Sequence, residues 1–95
     1  MKALVYDGPG ACAVREVATP TPRGTEALVR VRACGVCKTD VHIHHGRFFA
    51  AFPLIPGHEF AGEVAAVGEA VTRVQVGDRV AADNQYPCGR CDACR

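Results

Sequence analysis

The 95-residue sequence predicts a mainly β fold with short helices. Glycine and proline interrupt the chain so often that the segments between them suit strands and turns better than long helices. No apolar repeat of 3.6 residues continues beyond two turns, whereas residues 26–33 show the period-two alternation of a strand. A chain of this length forms at most one small domain, which we place at residues 1–95.

The N-terminal segment predicts a β-hairpin followed by a loop. Residues 3–6 are apolar enough for a first strand, the Gly-Pro-Gly sequence at 8–10 predicts a turn, and residues 11–17 form the returning strand. Two prolines and a glycine place residues 19–24 in a loop.

The middle of the chain predicts a strand and then a short helix. The two faces of the strand at 26–33 carry Val29, Val31 and Ala33 on one side and Leu28, Arg30 and Arg32 on the other. Thr39 or Asp40 is suited to cap a helix over residues 39–45, and Gly46 is suited to end it.

The last third of the chain predicts two more strands and an end without a hydrophobic core. The strands cover residues 60–67 and 79–82, with a turn at 76–78 between them. From Asn84 onward apolar residues are almost absent, so something other than apolar burial must order that segment.

Composition excludes several classes of function. Eleven Lys and Arg against ten Asp and Glu give a formal net charge of +1, too small to attract a nucleic acid or an anionic membrane. The first apolar run ends at Asp7, too early for a signal peptide, and no segment is long enough to span a membrane. Six cysteines would suit either a disulfide scaffold or metal thiolates, and the expected cytoplasmic location favours thiolates.

One glycine motif near the N-terminus resembles a dinucleotide-binding loop. Residues 8–13 fit the loose pattern G-x-G-x-x-G/A after a predicted strand. A loop that binds phosphate must open a helix of several turns, and Pro20 closes this segment too soon. We therefore interpret residues 8–13 as part of a hairpin.

A cysteine cluster near the C-terminus predicts a metal site. Cys88, Cys91 and Cys94 follow one another at intervals of three, so that their thiolates can converge on one tetrahedral ion. The basic neighbours Arg90 and Arg95 are expected to favour thiolates. Zinc and an iron–sulfur cluster both suit the spacing, and both require a fourth ligand.

A second, dispersed group suggests a catalytic zinc site. Cys37 is followed by Thr39, Asp40 and His42, and the pair His58-Glu59 comes sixteen residues after His42. Cysteine and neutral histidine are ligands of catalytic zinc, and Asp40 or Glu59 would hold the second nitrogen of a ligating imidazole. From spacing alone, a purely structural role for these residues remains open.

Several motifs together resemble the medium-chain zinc-containing alcohol dehydrogenase family. The sequence from Gly57-His58-Glu59 through Gly62, Gly68 and Val71 is similar to that family's zinc signature, and residues 35–40 and 76–80 resemble two further segments. The cysteine cluster resembles its structural-zinc lobe, which begins here at residues 84–95. The resemblance follows the whole chain in order, favours its polyol and threonine dehydrogenase branch, and favours zinc over iron–sulfur.

The resemblance implies a GroES-like β-barrel that stops before the family's Rossmann domain for NAD or NADP. It implies catalytic-zinc ligands at Cys37 and His58, with Glu59 either a third ligand or a carboxylate that exchanges onto the metal. Asp40 is expected to orient His58, and Lys38 to contact the cofactor. Thr39 is expected to take the alcohol proton and His42 to pass it to solvent, while hydride leaves the carbon.

The function expected from this resemblance is hydride transfer between an alcohol or polyol and NAD(P), by a protein of which this chain is the N-terminal part. We expect the 95-residue chain alone to be inactive, its substrate to be an alcohol, polyol or amino alcohol, and the full-length protein to be a homo-oligomer. The alternative is a stand-alone zinc-binding module with a structural or interaction role. An electron-transfer iron–sulfur protein is a third hypothesis.

Overall fold

The computed structural model describes residues 1–95 and is built mainly of antiparallel strands. The predicted class, mainly β with short helices, is confirmed. In chain order the elements are β1 (Lys2–Gly8), β2 (Ala11–Glu16), β3 (Ala27–Gly35), α1 (Lys38–His44), β4 (Glu59–Val67), β5 (Arg79–Ala81) and a 3-10 helix (Asp92–Cys94).

Strands β1 and β2 form the predicted hairpin. They pair antiparallel from Lys2 opposite Glu16 to Gly8 opposite Ala11. Gly10 in the turn has φ of +71°, a conformation that glycine adopts without steric cost. Because the glycine motif lies in this turn and opens no helix, the hairpin interpretation of residues 8–13 is confirmed.

The other three strands form an antiparallel sheet in the order β3-β4-β5. Two bulges interrupt the pairing of β3 with β4, one at Leu28/Val29 and one between Val31 and Ala33. The first bulge places its extra residue, Ala65, in β4 and leaves the alternation of β3 intact. The second places its extra residue, Arg32, in β3, so that Ala33 lies on the face of Arg30. The predicted uninterrupted alternation is therefore wrong at Ala33.

Helix α1 begins one residue earlier than predicted, and its cap is neither Thr39 nor Asp40. Cys37 is the N-cap, and the Asp40 Oδ2 atom accepts a hydrogen bond of 2.9 Å from the Cys37 backbone N–H. Asp40 thus acts from the third helical position, as the acidic partner of a capping box. Gly46 follows the helix with φ of +69°, as expected for a helix end.

The packed core is small. The buried apolar side chains are Val5 and Tyr6 in β1, Ile43 in α1 and Val64 in β4. The radius of gyration is 15.0 Å, against roughly 12 Å for a compact domain of this length, and one dimension is only 20 Å. The chain is therefore a thin, open body with much apolar surface in contact with solvent.

One bridge connects the hairpin to the rest of the chain. Tyr6 in β1 pairs antiparallel with Leu54, in the segment between α1 and β4.

None of the helices has the length and hydropathy required to cross a bilayer.

Candidate metal centres

The three C-terminal cysteines converge as the sequence predicts. The Sγ atoms of Cys91 and Cys94 are 3.4 Å apart, and those of Cys88 and Cys94 are 3.7 Å apart. Tetrahedral zinc with Zn–S bonds of about 2.3 Å requires about 3.8 Å between sulfurs, so the spacing fits this ion closely. The 3-10 helix at Asp92–Cys94 supplies the tight turn that returns the third sulfur to the other two.

Backbone N–H groups donate hydrogen bonds to this cluster and favour its thiolate form. The N–H groups of Arg90 and Cys91 donate to Cys88 Sγ over 3.5 and 3.4 Å, and these bonds lower the pKa of Cys88 to about 7. The lowered pKa favours the thiolate, which is the form that binds metal. The lowering comes from backbone N–H groups and the neighbouring sulfurs, so the predicted contribution from the charges of Arg90 and Arg95 is not its cause.

The dispersed group also comes together. One donor atom from each of Cys37, His58 and Glu59 lies within 4.8 Å of the other two. Cys37 caps the start of α1, whereas Glu59 begins β4 and His58 directly precedes it, so the fold joins residues more than twenty positions apart. One thiolate, one imidazole and one carboxylate leave a tetrahedral ion with an open position, as a catalytic zinc requires.

Asp40 lies behind His58, where it can orient the imidazole. Its Oδ1 atom is 3.8 Å from His58 Nδ1, and that buried oxygen has no hydrogen-bond partner. A buried acceptor without a partner is costly, and a small rotation of the imidazole would supply one. With Nδ1 directed to Asp40, Nε2 of His58 is left for a metal, which fits the donor set.

The electrostatics of this group favour a thiolate beside a protonated imidazole. Hydrogen bonds from Thr39, chiefly from its backbone, lower the pKa of Cys37, and His58 lowers it further. The pKa of His58 is raised, first by Cys37 and then by the charge of Asp40. Metal binding needs both the thiolate and the neutral imidazole, so a cation bound here would displace a proton from the pair.

Helix α1 carries the remaining predicted residues. Thr39 Oγ1 lies 3.6 Å from Cys37 Sγ, at the edge of the donor group. His42 is half-buried and follows Thr39 by three positions, so both lie on one side of the helix. Lys38 is exposed at the first helical position and contacts no member of the group by hydrogen bond or ion pair.

Two glycines beside the group were not predicted to have a role. A Cβ at Gly35 would lie 2.8 Å from Glu59 Oε2, and a Cβ at Gly57 would lie 3.0 Å from Cys34 Sγ. Gly57 also has φ of +95°. The sequence shows both glycines next to predicted ligands, but only strand pairing reveals that Gly35 faces Glu59.

His44 is outside both donor groups and contacts Tyr6 instead. Its Nδ1 atom shares a hydrogen bond of 2.8 Å with the Tyr6 hydroxyl, 38 positions away in the chain. No local sequence pattern links two residues at that separation, so the contact could not be predicted.

Comparisons with known proteins agree with this geometry. The family model described as the alcohol dehydrogenase GroES-like domain matches residues 23–95. D-arabinitol dehydrogenase 1 of Uromyces fabae is 44% identical over 95 residues, which are 100% of this chain and 27% of that protein.

Two solved structures have the same fold over nearly the whole chain. A zinc-binding dehydrogenase from Sinorhizobium meliloti 1021, bound to NADP, has a TM-score of 0.90 and 42% identity, covering 98% of this chain and 27% of that one. A cobalt- and zinc-bound thermostable alcohol dehydrogenase from Pyrobaculum aerophilum has a TM-score of 0.93 and 39% identity, covering 99% and 30%. The chain thus spans less than a third of the length of these relatives.

Proposed function

The chain belongs to the alcohol dehydrogenase GroES-like domain family, and on that premise we propose that residues 1–95 are the N-terminal catalytic part of a zinc-dependent dehydrogenase. The reaction is hydride transfer between a polyol or simple alcohol and NAD(P). Residues 84–95 begin a structural-zinc lobe, and the Cys37 group is the catalytic centre. We call the two sites the Cys37 centre (Cys37, His58 and Glu59) and the Cys88 centre (Cys88, Cys91 and Cys94).

The convergence of the three donors in the Cys37 centre carries the proposal. Its mixed donor set of a thiol, an imidazole and a carboxylate, with a threonine hydroxyl at its edge, is typical of a catalytic zinc, whereas the all-cysteine set of residues 88, 91 and 94 is typical of a structural zinc. The polyol preference is supported by similarity to a D-arabinitol dehydrogenase, and the NAD(P) requirement by similarity to an NADP-bound dehydrogenase.

The chain's own residues have distinct parts in the reaction. A zinc ion held at the Cys37 centre would supply Lewis-acid polarisation of the substrate hydroxyl, and NAD(P) would supply the hydride acceptor. Thr39 Oγ1 would accept the proton that the hydroxyl loses while releasing its own proton along a relay toward His42. His42, on the same side of α1, would pass a proton on to solvent. Asp40 keeps the His58 imidazole oriented. Lys38 is exposed at the start of α1, available to a cofactor phosphate.

The thin core supports the proposal that this chain packs against further structure. Large apolar side chains remain well exposed, including Val36, Phe49 and Tyr86. Exposed apolar surface of this kind is typical of an interaction surface. A self-sufficient zinc module would bury these side chains, so the stand-alone alternative is less well supported.

Activity in the protein expressed through its whole reading frame tests the proposal. We expect reduction of NAD+ or NADP+ with polyols, amino alcohols or simple alcohols, and we expect Cys37→Ala to lower kcat/KM at least about a thousandfold, because it removes several kcal/mol of electrostatic stabilisation. Cys12→Ala is the matched control, since Cys12 lies in neither centre. Full turnover by Cys37→Ala would refute the ligand assignment, and zinc binding without nicotinamide binding would favour the stand-alone module.

A further inference from the structure

Tyr6 makes two kinds of contact that meet near the Cys37 centre. Its side chain is only 8% exposed, and its hydroxyl shares the 2.8 Å hydrogen bond with His44 Nδ1. The two rings are also in edge-to-face contact, with centroids 5.8 Å apart and an interplanar angle of 89°. The side chain of Tyr6 therefore holds the C-terminal end of α1.

The backbone of Tyr6 is hydrogen-bonded to the segment that leads into His58, a second part of the Cys37 centre. Tyr6 N–H donates to Leu54 O over 2.8 Å, and Leu54 N–H donates to Tyr6 O over 2.9 Å. These are the only backbone hydrogen bonds of residues 48–58, the segment that leads into His58. The path of the chain into β4 thus depends on Tyr6.

His44 transmits this restraint along α1. It lies four positions after Asp40 and seven after Cys37, so all three share one side of the helix. Fixing the His44 ring fixes the rotation of α1 about its axis, and with it the directions of the Cys37 thiol and the Asp40 carboxylate.

We propose that Tyr6 is a positioning residue for the Cys37 centre, which it sets by holding α1 through His44 and the His58 segment through Leu54. The proposal rests on the function proposed above for that centre. Tyr6 contacts none of the three donors by hydrogen bond, so its effect on the metal is indirect.

The chemical state of Tyr6 suits this role. Its cross-strand partner Cys12 raises the pKa of the Tyr6 phenol above its ordinary value, and desolvation raises it further. The phenol therefore keeps its proton throughout the neutral range, and the hydroxyl stays available for the bond with His44.

Cobalt titration of the full chain tests the proposal at both centres at once. The probe is Co2+ in competition with a chelator, read by sulfur-to-cobalt charge-transfer absorption, with Cys37→Ser and Cys91→Ser assigning the two centres. We expect Tyr6→Phe to weaken Co2+ binding at the Cys37 centre about tenfold, the lower end of the effect of residues that support metal ligands. Affinity at the Cys88 centre should not change, which a general loss of stability would not reproduce.

Three further variants sharpen the test. Tyr86→Phe removes the hydroxyl of an exposed tyrosine and should leave both affinities unchanged. His44→Ala should weaken Co2+ binding at the Cys37 centre as much as Tyr6→Phe does, and the double variant should show no further loss. His44→Asn should bind Co2+ more tightly than His44→Ala, because the asparagine amide oxygen can accept the hydrogen bond from the Tyr6 hydroxyl.

Two results would overturn the proposal while leaving the proposed function intact: unchanged affinity at the Cys37 centre in Tyr6→Phe, or equal weakening at both centres. Absence of Co2+ from the Cys37 centre in the unmodified chain would instead contradict the proposed function, and the role of Tyr6 with it.

Discussion

Two glycines, Gly35 and Gly62, allow neighbouring strands and side chains to approach closely beside the Cys37 centre. Gly35 lies opposite Glu59 across the β3–β4 pair, and the space that a Cβ would take is used by the Glu59 carboxylate. Gly62, three positions further along β4, lets the backbone of β3 approach at Arg30. The first glycine therefore serves the metal centre, and the second serves the sheet.

Gly35→Ala is expected to impair the metal centre more than the fold. The atom that a Cβ would meet first is the end of a flexible carboxylate, which can move away at little cost in stability. Displacing it removes one donor from the Cys37 centre, so we expect metal affinity there to fall about tenfold or more. Metal titration and urea denaturation of the same variant separate the two effects, and a large loss of stability with unchanged affinity would contradict the assignment.

Gly62→Ala is expected to destabilise the sheet. A Cβ at this position would collide with the backbone carbonyl of Arg30, which cannot move without separating β3 from β4. We expect a loss of about 1–3 kcal/mol in the free energy of unfolding, the usual cost of overpacking. Gly8→Ala is the matched control, because a Cβ there meets nothing within 4 Å, and equal stability of the two variants would refute the prediction.

At the scale of elements, β3 and α1 show what the sequence can predict. The existence and the approximate limits of both elements could be predicted from local patterns, because alternation and capping residues act over a few positions. The bulges between β3 and β4 could not be predicted from the sequence, since a bulge depends on how the two strands pair. The donors of the Cys88 centre could be predicted from residue type and spacing, and those of the Cys37 centre only with the help of the family resemblance. The Tyr6–His44 contact depends on tertiary packing alone.

The connection after β4 provides a pH-dependent restraint. Glu69 Oε2 accepts a 2.9 Å hydrogen bond from the Gly24 N–H, and backbone bonds from Glu69 itself and Gly24 lower the pKa of this carboxyl. A lowered folded-state pKa means that the stabilisation is present above the unfolded pKa of a glutamate, and is lost as pH falls through the folded pKa.

We therefore expect Glu69→Gln to be less stable than the unmodified chain at neutral pH, and the difference to shrink on acidification below about pH 4.5. Urea denaturation of both proteins between pH 7 and pH 3 measures it. Glu16→Gln is a control for removal of an exposed carboxylate: no backbone N–H donates to the Glu16 carboxylate, and its one ion pair, 3.4 Å from the N-terminal ammonium, is solvent-exposed and therefore weak. A Glu69→Gln difference that grows on acidification would contradict the sign.

At the scale of the whole molecule, little apolar burial is available to stabilise the chain. Four buried apolar side chains, a radius of gyration of 15.0 Å and an almost fully exposed β2 leave a small margin over conformational entropy. Metal binding at two centres would join β4 to α1 and close the Cys88–Cys94 loop. We infer that metal supplies a large part of the stability of this domain.

Removal of metal should therefore lower the melting temperature strongly. Free zinc at a hundred times Kd contributes about 2.7 kcal/mol per site, which corresponds to a decrease in Tm on the order of 10 °C when a chelator removes it. Differential scanning calorimetry with and without the chelator measures the change, and restoration by added zinc controls for damage. Identical Tm values with and without metal would contradict this inference.

The metal stoichiometry of the cobalt-substituted chain and two variants shows directly whether the chain holds two separate metal centres. Two Co2+ ions should bind per chain, with thiolate charge-transfer absorption from both. Cys37→Ser should lose the ion of one centre and retain the other, and Cys91→Ser should do the reverse. A single bound ion in the unmodified chain, or an ion at the Cys37 centre that survives Cys37→Ser with its sulfur absorption intact, would contradict this prediction.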